Sequence, residues 1–277
     1  MATFAFRQVD VFASAPLSGN PLAVVHDADG LSEAQMQAFA RWTALSETTF
    51  LLAPTAPGAD YRVRIFTPSR ELPFAGHPTL GSAHAWLANG GRPAADGAVT
   101  QQCGAGLVPV RVHSGRLAFA APPLTRYQPV AEELLQQITR GLGLQPGEVL
   151  DASWLVNGPE WIGLRLASAE QVLAVQPDAG VLAHLELGLV GPHPAGGEVQ
   201  FEVRGLLPGD GVEDPVTGSL NAGLAQWLID SGQAPDHYVA AQGGMVGAAG
   251  RVHVDRREDG LWVGGQVRTV VTGTVEL

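Results

Sequence analysis

One cysteine, no long apolar run and a shortage of basic charge set the first limits on this chain. Cys103 stands alone among 277 residues, which excludes an intrachain disulfide and a thiol-rich metal cage. No apolar run approaches the roughly 18 residues of a membrane-spanning helix. The N-terminus, MATFAFRQVDVF, carries Arg7 and Asp10 where a secretion signal would be apolar, so a cytoplasmic setting is expected. Only 16 basic residues face 27 acidic ones, a net charge of −11, which argues against nucleic acid and anionic membranes as partners. A small anion remains compatible with that charge, because a few backbone N–H groups suffice to bind one.

Familiar catalytic motifs are missing too. No G-x-G-x-x-G follows a strand, and no G-x-S-x-G elbow occurs. Gly76 and Gly81 have phosphate-loop spacing, but Ser82 stands where the lysine belongs. The eight histidines never fall at i, i+4, so neither a metal nor a metal-dependent cofactor is expected. His84 reads as a packed or surface residue and Cys103 as a strand-end filler.

What is present is a pattern of short elements. Period-2 runs predict strands over 6–13, 61–67, 107–115, 161–166, 199–206 and 261–271. Helical periodicity covers 32–42, 78–91, 131–143 and 217–232, the first opened by a Ser32/Gln35 capping box. The Pro-rich 121–129 marks a boundary. These elements give an α+β protein with domains at 1–122 and 123–260, and a C-terminal strand, 261–277, that can return to the first domain.

An internal repeat is the most informative feature. Arg64-Ile-Phe66-Thr-Pro68 precedes His77-Pro78-Thr-Leu-Gly81-Ser82-Ala-His-Ala85, and Arg204-Gly-Leu206-Leu-Pro208 precedes Asp214-Pro215-Val-Thr-Gly218-Ser219-Leu-Asn-Ala222. Both obey R-x-[F/L]-x-P and then [H/D]-P-x-x-G-S-x-x-A. Proline's preference for the first helical position explains Pro78 and Pro215 but not the Arg, Gly and Ser. We read a duplication: two pseudo-symmetric domains, each a helix surrounded by strands, with a cleft expected where the two helix N-termini meet. Free N–H groups and the positive end of the helix dipole at those turns favour a carboxylate. His77 and Asp214 would confront each other across it.

Glu47, in LSETTFLL, is the only charged residue between Arg41 and Asp60. In apolar surroundings its pKa would rise toward the range a proton shuttle needs. Taken alone, the segment favours the plainer reading, a solvated glutamate at a strand edge or one serving a turn at Ser46.

Together, GNPLAVV (19–25), LSETTFLL (45–52), ELPFAGHPTLG (71–81), VEDPVTGS (212–219) and AQGGMVG (241–247) resemble the phenazine-biosynthesis isomerase (PhzF) family over nearly the whole chain. That resemblance implies a diaminopimelate epimerase-like fold, two mixed sheets or barrels each wrapped around a central helix. It also implies cofactor-free isomerisation by proton transfer on a small carboxylate-bearing metabolite, and a homodimer. It assigns the catalytic carboxylate to Glu47, its partners to His77 and Asp214, and substrate binding to Asn20, Gly76, Thr217, Gly218 and Ser219. The two opposed cysteines of the epimerase relatives have no counterpart, since Ala75 and Asp214 stand there. Ala44 and Ala248-Ala249 depart from the family pattern. A binding protein that kept the fold without turnover is the alternative.

Overall fold

The strands and helices form where alternation, capping and glycine content call for them, in an order that runs twice. The computed structural model describes residues 2–113 and 115–277. The first run comprises β1 (Thr3–Val11), β2 (Asn20–Val25), α1 (Glu33–Thr43), β3 (Thr48–Leu52), β4 (Tyr61–Phe66), β5 (Glu71–Leu72), α2 (Gly76–Ala88), β6 (Ala98–Cys103), β7 (Gly106–His113) and β8 (Arg116–Ala120). The second comprises β9 (Arg126–Pro129), α3 (Glu132–Gly141), β10 (Asp151–Val156), β11 (Glu160–Arg165), α4 (Ala169–Ala174), α5 (Ala179–Leu182), β12 (Glu186–Pro192), β13 (Phe201–Leu207), β14 (Val212–Asp214), α6 (Gly218–Asp230), β15 (His237–Gln242), β16 (Gly250–Arg257) and β17 (Gly260–Gly265). A last strand, β18 (Val267–Glu276), pairs antiparallel with β1. Two units result, Met1–Ala120 with Gly264–Leu277, and Ala121–Val263.

The pairings repeat as well. In unit 1, β1–β2 is antiparallel, β2–β3 parallel, β3–β4 and β4–β5 antiparallel, β4–β6 parallel and β6–β7 antiparallel. In unit 2, β10–β11 is antiparallel, β11–β12 parallel, β12–β13 and β13–β14 antiparallel, β13–β15 parallel and β15–β16 antiparallel. The outer partner of the first strand, β18 on β1 or β9 on β10, is antiparallel in both. Each unit is thus a mixed sheet with one helix, α2 or α6, between its fifth and sixth strands.

Those two helices are buried on nearly every side, as a helix enclosed by strands must be. All eight residues Gly76–Ala83 are buried. Strands β1, β2, β3, β6, β7, β8 and β18 pack on α2, and β10, β11, β12 and β16 on α6. Such close approach needs small residues: a Cβ on Gly81 would lie 2.5 Å from Leu22 and 3.0 Å from Val9. The outer helix α1 opens with the expected Ser32/Gln35 capping box. It packs Met36, Phe39 and Ala40 against Val25, Phe50 and Phe66. In unit 2 the matching core is aliphatic, with Leu164, Leu187, Leu189 and Leu206 around Ile138 and Ile162.

Three expectations need correction. The central helix of unit 1 begins at Gly76, so Pro78 is its third residue and not its first. Proline is tolerated there because none of the first four N–H groups has an intrahelical acceptor. Asp214 and Pro215 lie ahead of α6, which starts at Gly218. Matching the helix starts therefore aligns Gly76 with Gly218, and not His77 with Asp214. Lastly, the predicted strand 261–271 is two strands, β17 and β18, broken at Gln266. The predicted strand 107–115 includes Ser114, which lies outside the described residues.

Candidate active site

In unit 1 the chain brings Glu47, just ahead of β3, close to His77, in the first turn of α2. Helix α1 ends on Ala44, whose φ of 54° is left-handed, and the reversed chain delivers Glu47 to the residue before β3. His77 is the second residue of α2. Its Nε2 lies 3.5 Å from Glu47 Oε2, with side-chain exposures of 5% and 15%. Burial pushes the His77 pKa down to about 3, so the ring is neutral at neutral pH. The contact is then a long polar approach and not an ion pair, and His77 Nε2 makes no hydrogen bond within the protein. Farther along α2, Ser82 Oγ donates to Thr49 Oγ1 at 3.0 Å, joining α2 to β3. Asn20, fully buried, starts β2, after a loop whose Ser18 and Gly19 N–H groups donate to the Asp10 carboxylate.

Unit 2 gathers Asp214, Thr217, Gly218 and Ser219 on the turn into α6. Thr217 Oγ1 donates to Asp214 Oδ2 at 2.6 Å. Ser219 Oγ accepts from Trp161 Nε1 at 3.1 Å, and the Ser219 carbonyl accepts from Asn157 Nδ2 at 2.9 Å. Behind the turn, Arg204 on β13 and Glu213 on β14 form a two-pronged ion pair, while Arg204 Nη1 donates to the Val172 and Val175 carbonyls.

Two sets of residues escape a reading of the sequence. The first is the glutamate that partners each repeated arginine, Glu71 for Arg64 and Glu213 for Arg204. The repeat contains it, but the hairpin between is two residues longer in unit 2 (Arg204 to Glu213 against Arg64 to Glu71) and hides the match. The second is a buried glutamine from the strand after each helix. Gln101 Nε2 donates to Thr79 Oγ1 at 2.9 Å, and Gln242 Oε1 accepts from Asn221 Nδ2 at 2.8 Å. Thr79 and Asn221 are both fourth in their helices. A buried glutamine in an apolar strand was a signal, but its partner is not readable from spacing.

His84, assigned to packing or surface, lies within 2.9 Å of Thr269 Oγ1 on β18. Cys103 ends β6, and burial raises its thiol pKa, so no thiolate is favoured there. Among the described residues no group of three or more His, Cys, Asp or Glu side chains is placed to hold a metal ion, and no helix is long and apolar enough to cross a membrane.

Each unit wraps a mixed sheet around one central helix, and unit 1 sets Glu47 3.5 Å from the buried His77 at the head of its helix. Residues 9–273 match the family described as phenazine biosynthesis-like protein, PhzC-PhzF, and the chain belongs to that family. It is 34% identical over 293 residues to "Antisense-enhancing sequence 1" of Schizosaccharomyces pombe, covering 99% of each chain. It is 36% identical over 230 residues to the trans-2,3-dihydro-3-hydroxyanthranilate isomerase of Pseudomonas aeruginosa, covering 82% of this chain and 80% of that one. The solved structure of a predicted epimerase from the same organism superposes with a TM-score of 0.81 at 28% identity, covering 99% of both chains. The chain is an isomerase-type enzyme of the PhzF family with the epimerase-like fold.

Proposed function

We propose that this chain is a cofactor-independent isomerase that moves a proton within a small carboxylate-bearing metabolite, either dihydro-hydroxyanthranilate-like or derived from an amino acid. Glu47 is the shuttle. As a carboxylate it takes a proton from a carbon next to an unsaturated or acidifying group, and becomes a carboxylic acid. The electron pair left behind shifts through the substrate's π-system, and Glu47 returns a proton to another carbon. Nothing is oxidised or reduced, and the product has the substrate's formula.

The observation that carries this reading is the 3.5 Å approach of Glu47 to a buried, neutral His77 at the head of α2. A neutral imidazole adds no positive charge beside Glu47, and one of its ring nitrogens can hydrogen-bond a substrate hydroxyl or amine. Proton transfer of this kind contributes roughly 10²–10⁴-fold in rate. The rest comes from fixed dipoles at the helix N-termini, with Gly76, Gly218 and Ser219 presenting backbone N–H groups to the substrate carboxylate. Asn20 in unit 1 is a further substrate-binding residue in this reading, as are Asp214 and its hydrogen-bond partner Thr217 in unit 2. A cytoplasmic homodimer is part of this reading.

The test is conversion of trans-2,3-dihydro-3-hydroxyanthranilate and a panel of cyclic amino acids, followed by NMR, with binding followed by calorimetry. Wild type should convert at least one, and Glu47→Gln should bind it without converting it. Binding without conversion by wild type would favour a ligand-binding protein instead.

A further inference from the structure

We propose that Gln242 is a positioning residue: it forces the hydroxyl proton of Thr217 onto Asp214 and so holds that carboxylate in one orientation. The inference rests on the reading that Asp214 meets the substrate.

The Gln242 amide is bonded at both ends. Its Oε1 accepts from the Thr217 backbone N–H at 3.0 Å and from Asn221 Nδ2 at 2.8 Å. Its Nε2 donates to the Asp214 carbonyl at 3.1 Å and to Thr217 Oγ1 at 2.9 Å. Donors surround the oxygen and acceptors surround the nitrogen, so the amide has one orientation only. Asn221 is itself pinned, because Nδ2 also donates to the Thr217 carbonyl at 2.9 Å.

The consequence falls on Thr217. A hydroxyl has one proton, and Thr217 Oγ1 already accepts from Gln242. Its proton is therefore committed to Asp214 Oδ2, 2.6 Å away, a short bond of the charge-assisted kind. Gln242 and Asn221 are each 1% exposed, so water does not compete. The facing strand is cut to fit: a Cβ on Gly205 would lie 2.8 Å from Thr217 Oγ1 and 3.1 Å from Gln242 Nε2. Gly205, Thr217, Asn221 and Gln242 come from three separate elements and a turn, and all of them converge on the orientation of one carboxylate.

Three variants test this in the full-length protein. Thr217→Val keeps the shape and removes the hydroxyl, Thr217→Ser restores it, and Gln242→Glu replaces the amide donor by an acceptor. The first readout is the carboxyl ¹³C resonance of Asp214 without substrate. It should move in Thr217→Val and in Gln242→Glu, and return to its wild-type position in Thr217→Ser. The second readout is turnover of whichever substrate wild type converts. There kcat should fall roughly ten- to a hundredfold in Thr217→Val with KM much less changed, and recover in Thr217→Ser. An Asp214 resonance unmoved in both Thr217→Val and Gln242→Glu overturns the inference. Because that resonance is read without substrate, a protein that isomerises nothing would sink the proposed function and leave this outcome standing on its own.

Discussion

On β4 and β5 of unit 1 the repeated arginine, Arg64, pairs with Glu71 and also reaches Glu33, and the Arg64 side chain stays 24% exposed. On β13 and β14 of unit 2 its counterpart, Arg204, pairs with Glu213 at 4% and 9% exposure and spends its remaining N–H groups on two backbone carbonyls. The same device is a surface clasp in one unit and a buried rivet in the other. The turns that follow differ in the same sense. Ahead of α6, Gln242 and Asn221 lock Thr217 onto Asp214, whereas at the head of α2 His77 Nε2 makes no hydrogen bond within the protein and approaches Glu47 only at 3.5 Å. Duplication supplied one scaffold twice. One copy closes its turn with a hydrogen-bond network around Asp214, and the other leaves the buried His77 Nε2 without a hydrogen bond within the protein.

Removing one partner of each clasp should separate the units most sharply. A buried ion pair that loses one member leaves an uncompensated charge, at a cost of about 3–5 kcal/mol. An exposed pair is worth ~1 kcal/mol or less. In denaturant unfolding, Arg204→Met should therefore lower stability several times more than Arg64→Met. Equal losses would mean that the clasps are equivalent despite their burial.

The units should also differ in their response to acid. His77 and His26, both in unit 1, are pushed down by burial to about 3 and about 4. Between the ordinary histidine value of 6.5 and those values the unfolded chain takes up protons that the folded chain refuses. Stability therefore rises with pH across that window and is lost as pH falls through it, by up to about 1.4 kcal/mol per pH unit for His77. Replacing His77 by Asn should flatten the stability–pH curve below pH 6.5, seen as a smaller fall in thermal midpoint between pH 6.5 and 4. A curve of unchanged slope would show that His77 is protonated in the folded protein.

A smaller effect belongs to Ala44, which ends α1 with φ at 54°, a left-handed conformation that suits Gly or Asn. Ala44→Gly should raise stability by roughly 1 kcal/mol and leave the Glu47–His77 geometry unchanged. A calorimetric midpoint below that of wild type would contradict it.

Much of this was legible in the sequence because duplication leaves matched residues. The arginines, the small residues of the helices and the turn prolines are enough to mark two similar units. The helix starts are not legible from proline alone, because Pro78 is the third residue of α2 whereas Pro215 lies three residues ahead of α6. The network around Asp214 was not legible, since Thr217 and Gln242 are 25 residues apart and meet only because β15 returns beside β13. Glu47 was ambiguous in isolation. The family resemblance is what points to it, and the fold is what sets it 3.5 Å from His77.

The central claim is that Glu47 carries the proton. Solvent-deuterium incorporation into a converted substrate, compared between wild type and Glu47→Gln at equal saturation, tests it most directly. The account expects incorporation by wild type and a loss of roughly 10²–10⁴-fold in Glu47→Gln. Equal incorporation by both proteins would contradict it.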